Sequence, residues 1–180
     1  MPRRLTLVAA VLLSAVLLGA CADTGPASSS SPDSASPDTG RVARITDGDT
    51  LRLADGRRIR LVQIDAPERD VECFGNAATN ALILLAPVGS TIELERDPGL
   101  DDRDRNGRLL RYVRAGGRNV NLELVRLGAA APYFYRGERG RHAAALLRAA
   151  KLALAERRGV WRACPAARLA PTRQIAAGPP

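Results

Sequence analysis

Between Thr50 and Leu61 apolar and polar residues alternate on both sides of the pair Asp55-Gly56. Leu51 and Leu53 alternate with Thr50 and Arg52, and Ile59 and Leu61 alternate with Arg58 and Arg60. A period of two turns one side of each segment toward a core, and Asp-Gly reverses a chain within two residues. The segment is thereby committed to an antiparallel hairpin, with Arg60 on the face away from the apolar pair. After Asn76 the period changes: Ala77, Ala78, Ala81, Leu82 and Leu85 recur at three and four, with Pro87 as a stop, which predicts a helix. Thr91 to Leu94 and Leu109 to Val113 read as strands around an acidic, turn-rich loop. Val120, Leu124 and Leu127 predict a short helix closed by Gly128. A longer helix follows with Ala143, Leu147, Ala150 and Leu154 inward, Arg157 and Arg158 in its last turn and Gly159 as its cap. These blocks make a small α+β domain.

Composition sets the limits of that domain. Residues 1–20 have a basic start, Arg3 and Arg4, and an apolar run too short to span a bilayer, and so read as an export signal. The run ends Leu18-Gly19-Ala20-Cys21, which resembles a bacterial lipoprotein processing box with Cys21 as the lipid-bearing residue. Ala20-Cys21-Ala22 also fits ordinary secretion with Cys21 discarded. The expectation is anchoring at the outer face of the cell membrane through the lipid alone, with secretion as the alternative. Residues 21–40, rich in Ser, Pro, Asp and Ala, predict a disordered tether, and residues 166–180, rich in Ala and Pro, a flexible tail. The domain is therefore placed at 41–165. Of the 27 basic and 19 acidic residues, only Arg3, Arg4, Arg168 and Arg173, and Asp23, Asp33 and Asp38, lie outside it. The positive excess thus belongs to the domain and favours a polyanionic partner, without deciding the fold.

Cys73 and Cys164 remain under either processing route, and in an oxidising compartment an even pair predicts a disulfide. Closing a loop of that length contributes at most something over ~4 kcal/mol in the chain-entropy picture. The other reading is two buried thiols. With His142 as the only histidine, the two cysteines do not make a zinc site.

Four carboxylates collect near the hairpin: Asp47 and Asp49 in Thr46-Asp47-Gly48-Asp49-Thr50, then Asp65 and Glu68 in Ile64-Asp65-Ala66-Pro67-Glu68. If the hairpin returns the chain beside its start, the two clusters face each other. Converging carboxylates repel unless a cation lies between them, and an oxygen-rich site suits Ca²⁺, Mg²⁺ or Mn²⁺. Either cluster alone is explained as well by a turn or a cap. Arg60, and Arg108 at the end of Asp104-Arg105-Asn106-Gly107-Arg108, shift the balance. Two guanidiniums beside a carboxylate-held cation suit a phosphodiester, and a carboxylate outside the ligand set, such as Glu68, suits a water nucleophile. The run Asp102 to Gly107 imitates the start of an EF-hand loop, but Val113 stands where a glutamate is required, so it reads as a turn that places Arg108.

Taken in order, these motifs resemble the staphylococcal-type thermonucleases over Val42 to Trp161. The likeness continues through Val120-Asn121, Leu124 to Gly128, Tyr133-Phe134-Tyr135 and Gly159-Val160-Trp161. The resemblance implies an OB-fold, a five-stranded β-barrel with three α-helices, and Ca²⁺-dependent hydrolysis of DNA and RNA leaving 3′-phosphate ends. It implies Asp49, Asp65 and the backbone carbonyl of Ala66 as calcium ligands, with Asp47 behind them. It implies Arg60 and Arg108 on the phosphate, Glu68 handling the attacking water, and Tyr133 and Tyr135 flanking the nucleotide. The chain departs from the family between Glu68 and Asn76, where a short segment carrying Cys73 replaces a longer lysine-rich loop. Lys151 is the only lysine, so arginine must supply the field for nucleic acid. The expected form is a monomer. The competing reading is a catalytically silent OB module that binds single strands or another ligand; the full set Asp49, Arg60, Asp65, Glu68 and Arg108 argues against it.

Overall fold

In the structure, a computed structural model describing residues 38–180, the hairpin pattern becomes two sides of a closed barrel. Strand β1 (Thr39–Asp47) pairs antiparallel with β2 (Thr50–Leu53), and β2 with β3 (Arg58–Leu61), Leu51 facing Ile59. Register shifts between Val42 and Arg44 and between Ile45 and Asp47 bend β1, so that its first residues pair with β5 (Thr91–Glu95) instead. Strand β5 pairs antiparallel with β6 (Leu109–Ala115), and β6 runs parallel to β3, Ile59 facing Leu109. That pairing closes five strands into a barrel whose interior is filled by the period-two residues: Leu51, Ile59, Leu61 and Val113 are all 0% exposed. With no open edge, these strands satisfy their backbone groups from both sides.

Three small strands complete the sheet pairings. β4 (Ile64–Asp65) pairs with β8 (Ala131–Pro132), and β7 (Arg118–Asn119) folds back on β6. Three helices pack around the barrel: α1 (Gly75–Leu85), α2 (Val120–Arg126) and α3 (Ala143–Ala155), followed by a single turn, α4 (Val160–Ala163). The five-stranded barrel with three helices is the OB arrangement. Asn119 caps α2 by accepting from Leu122 N (2.9 Å). Asn121, fully buried, accepts from Val113 N (3.0 Å) and donates to Val62 O (2.9 Å), which ties the end of β3 to β6 just before β4.

Two expectations are corrected. Helix α3 turns Ala143, Leu146, Ala150 and Ala153 inward, while Leu147 is half-buried and Leu154 is 42% exposed. The inward stripe is mostly alanine, whose small side chains let α3 pack against α2, with Leu146 as its one large core residue. The helix also stops at Ala155: Arg157 adopts φ +53°, so neither it nor Arg158 belongs to the last turn. The second correction is the end of the chain. Residues 166–180, for which composition predicts a flexible tail, lie back along the domain, with Ala167, Ile175 and Ala177 buried against Val160 and Trp161. Cys73 and Cys164 form a disulfide, their Cα atoms 5.9 Å apart. Residues 1–37, which include the segment read as an export signal, Cys21 and most of the expected tether, lie outside the described residues. Among the described residues no helix is long and apolar enough to cross a membrane.

Asp97 joins the loop after β5 to the start of α3. Its carboxylate accepts from Gly99 N (3.0 Å) and Arg141 N (2.7 Å). Burial alone would raise its pKa, but these amide donors outweigh it and hold the group below its usual value of 3.8. A depressed carboxylate stabilises the fold fully above the unfolded value and loses that contribution as pH falls through the folded one. Asp97→Asn is therefore expected to cost about 1.5–3 kcal/mol at neutral pH, the range for hydrogen bonds to a charged group. In denaturant titrations the variant and the parent chain should converge below that carboxylate range.

Candidate active site

The turn between β1 and β2 carries the first carboxylates onto the end of β4. Gly48 makes that approach possible: a Cβ there would lie 2.7 Å from Ala66 Cβ and 2.9 Å from Ala78 Cβ. Asp47 accepts from Asp49 N (3.1 Å), closing the turn. Asp49 is 5% exposed and accepts from Thr50 Oγ1 (3.0 Å) on Oδ1 and from Ala66 N (2.8 Å) on Oδ2. The sequence's two acidic clusters therefore do meet, through Asp49 and the backbone of Ala66.

Arg60 lies between them. Its Nη2 is 2.8 Å from Asp49 Oδ2 and 2.8 Å from Asp65 Oδ1, while Nη1 donates to Leu61 O and Ile64 O. One guanidinium thus holds both carboxylates and the turn after β3. Among the described residues its Nε makes no hydrogen bond, and it remains as a donor on a side chain that lines the cleft. Arg108 is held differently. Its Nε contacts Asp104 Oδ2 (2.6 Å), and its Nη1 donates to Thr50 Oγ1 (3.3 Å). Asp104 also accepts from Asn106 N and Arg108 N, so the turn expected from the sequence does place Arg108. A continuous relay results: Arg108 to Thr50, Thr50 to Asp49, Asp49 to Arg60, Arg60 to Asp65.

Three side chains of this group resist ionisation. Burial, only partly offset by Arg60 and reinforced by Asp47 and Asp65, pushes Asp49 up to about 8. Burial likewise raises Asp65 against the opposing pull of Arg60. Glu68, on the exposed turn after β4, is raised by partial burial and then by the charges of Asp47 and Asp65. One arginine does not neutralise this much negative charge, and a hard cation held by oxygen donors fits the deficit. The donors available are the carboxylates of Asp49 and Asp65 and the carbonyl of Ala66. Among the described residues no three His, Cys, Asp or Glu side chains are gathered as a ready metal cage, so a backbone carbonyl or solvent would have to complete the set.

The arginines open onto a cleft of about 580 Å³, lined by Arg60, Arg108, Tyr133, Tyr135 and Gln174 among others. The two tyrosines that resemblance assigns to the nucleotide line the same cleft as both arginines. Tyr135 is 53% exposed, with the Arg136 guanidinium 5.1 Å from its ring centre. Glu68 is not among the residues lining this cleft. Sequence reading missed three contributors. Thr50 links Arg108 to Asp49 by its hydroxyl, Gln174 joins the cleft wall, and Ile175 N donates to Asp65 Oδ2 (2.8 Å). Ile175 and Leu169 are the only large apolar side chains in the last fifteen residues, and they were the one signal that the tail is anchored. His142 and Trp161 take no part: His142 stacks edge-on against Tyr112 at 4.5 Å, and Trp161 is buried in the packing of the last turn.

Residues 58–163 match the family model of staphylococcal nuclease homologues. An endonuclease of Escherichia coli is 44% identical over 98 residues, covering 52% of this chain and 60% of its own. The thermonuclease of Staphylococcus intermedius is 35% identical over 103 residues, 52% of this chain and 59% of its own. An endonuclease of Haemophilus influenzae is 35% identical over 127 residues, 68% of this chain and 66% of its own. The chain spans about three fifths of the length of the first of these relatives. The matched residues include Arg60, Asp65, Glu68, Arg108 and both tyrosines; Asp49 precedes them.

Proposed function

The chain belongs to the staphylococcal nuclease family, and from that premise we propose that it is a calcium-dependent nuclease hydrolysing phosphodiester bonds in DNA and RNA. The observation that carries the reading is the relay itself. Two buried carboxylates and two arginines are joined in one run of hydrogen bonds that passes through Thr50, and both arginines open onto one cleft.

Asp49, Asp65 and the Ala66 carbonyl would hold the calcium ion. When bound, the ion polarises a phosphoryl oxygen and offsets charge on the phosphate. Arg108 presents its unused Nη donors to the phosphate, with its stem fixed by Asp104. Arg60 contributes Nε, the one donor not engaged by Asp49, Asp65 and the two carbonyls. Both guanidiniums are held before substrate arrives, so they stabilise charge developing on the equatorial oxygens with little reorganisation. Glu68, whose pKa is raised by partial burial and then by Asp47 and Asp65, is in its ionised form a stronger base than an ordinary carboxylate and suited to accept a proton from the attacking water. Tyr133 and Tyr135 supply faces for the bases, as aromatic residues do on single strands. By family likeness the 5′ oxygen leaves and the products carry 3′-phosphates.

The test uses end-labelled single-stranded DNA and RNA with the purified chain in calcium, magnesium or chelator, followed by analysis of the new ends. Cleavage in calcium alone, with 3′-phosphate ends, is the expected result. Binding without cleavage in every condition would leave the silent OB module instead. The proposal extends to export and lipid attachment at Cys21, read from residues 1–21. A mass spectrum of the mature N-terminus would give a lipidated Cys21 if that is right, and a start at Asp23 if the chain is simply secreted.

A further inference from the structure

The segment after α4 is a strap fastened at both ends to one residue. It starts at Cys164, disulfide-bonded to Cys73, and returns so that Gly178 O accepts from Cys73 N (2.8 Å). Between these anchors it reaches the site twice. Pro171 O accepts from Phe134 N (2.6 Å), between the two cleft tyrosines, and Ile175 N donates to Asp65 Oδ2 (2.8 Å). Ile175 is 5% and Asp65 6% exposed, so the bond between them is buried. Gln174, its neighbour, stands in the cleft wall. The strap lies beyond the residues that match the family model, which end at 163.

What the strap supplies is more specific than packing. Asp65 is gripped on both oxygens, Oδ1 by Arg60 Nη2 and Oδ2 by Ile175 N. Two restraints on opposite oxygens fix the carboxylate's rotation, while each oxygen keeps lone pairs for another ligand. An amide donor to an ionised carboxylate is a charge-assisted bond, and outer partners of this kind tune metal affinity about 10- to 100-fold. We propose that the strap is the positioning element of the cation site: Ile175 N–H sets the orientation of Asp65, and Cys73 sets the strap. This rests on the reading of Asp65 as a cation ligand, but not on any cleavage step. It also assigns the disulfide a role at the site, since Cys73 holds the strap at both ends.

The experiment is calcium binding by isothermal titration calorimetry on the full chain, on Ile175→Pro, and on the pair Cys73→Ser with Cys164→Ser. Circular dichroism on the same samples reports folding. Ile175→Pro removes the one donor and keeps an apolar side chain; its calcium dissociation constant should rise about 10- to 100-fold with the fold retained. The double serine variant keeps Ile175 N and should shift in the same direction by less. A third chain carrying all three substitutions should show less than the product of the separate effects, because both act through Asp65. Unchanged affinity in a folded Ile175→Pro or double-serine chain would overturn the proposal. So would tighter binding, which would make the strap a mask. If the full chain binds calcium with this pattern yet cleaves nothing, the hydrolytic reading fails while the strap's role stands. If the full chain binds no calcium, both fail.

Discussion

Arg60→Gln should cost more stability than any other single change at the site. The side chain is 12% exposed and its Nη2 is shared by two carboxylates whose own side chains are 7% and 8% exposed. Removing one member of a buried charge group leaves the others uncompensated, at a cost of about 3–5 kcal/mol. Leu61 O and Ile64 O lose their donor at the same time, which loosens the turn that delivers Asp65. Activity should fall by about 10²- to 10³-fold on top of this, the usual loss for one stabiliser of transition-state charge. The two effects are separable. Calcium should raise the melting temperature of Arg60→Gln more than that of the parent chain, because the ion relieves the repulsion between Asp49 and Asp65 that the arginine had relieved. Equal shifts in both chains would mean that the two carboxylates do not share the ion.

Glu68→Gln should do the opposite. Glu68 lies on an exposed turn, and the hydrogen bonds of that residue are made by its backbone, Glu68 N to Glu72 Oε2 and Glu68 O from Val71 N and Glu72 N. The amide replaces the carboxylate at nearly the same size, so thermal unfolding should scarcely change. It cannot accept a proton from water, and turnover should fall by about 10²- to 10⁴-fold, the range for a lost general base. Substrate affinity should hold or improve, since one negative charge near the phosphate is gone. A variant that binds less tightly and turns over normally would place Glu68 in substrate binding instead.

The fold was legible where periodicity carries it. Leu51, Leu53, Ile59 and Leu61 announced a hairpin because a strand shows its buried face every second residue. The face of α3 was misread for a physical reason: leucines at 147 and 154 are the more hydrophobic choice, but close approach to α2 admits alanine. Hydrophobicity ranks residues, whereas helix packing selects for size. At the site, Asp49, Asp65, Arg60 and Arg108 stand out only when the motifs are taken together in order, because either acidic cluster alone is explained as well by a turn or a cap. Thr50 and the strap do not stand out even then. A threonine in a strand is ordinary until its hydroxyl is seen between a carboxylate and a guanidinium. The strap reaches the site through backbone groups, which leave no mark on the identity of a side chain. Its disulfide anchor is readable from the pair of cysteines left once Cys21 is set aside, but not that the same cysteine receives both ends.

The central claim is that the carboxylate–arginine relay cuts a phosphodiester and does not merely hold a strand. It is tested most directly by following binding and cleavage of one fluorescent single-stranded DNA in the same tube, with calcium titrated in, for the parent chain beside Glu68→Gln. Anisotropy should rise for both chains, and only the parent should give shortened products, in proportion to calcium occupancy. Binding by the parent chain with an intact strand at saturating calcium would contradict that claim.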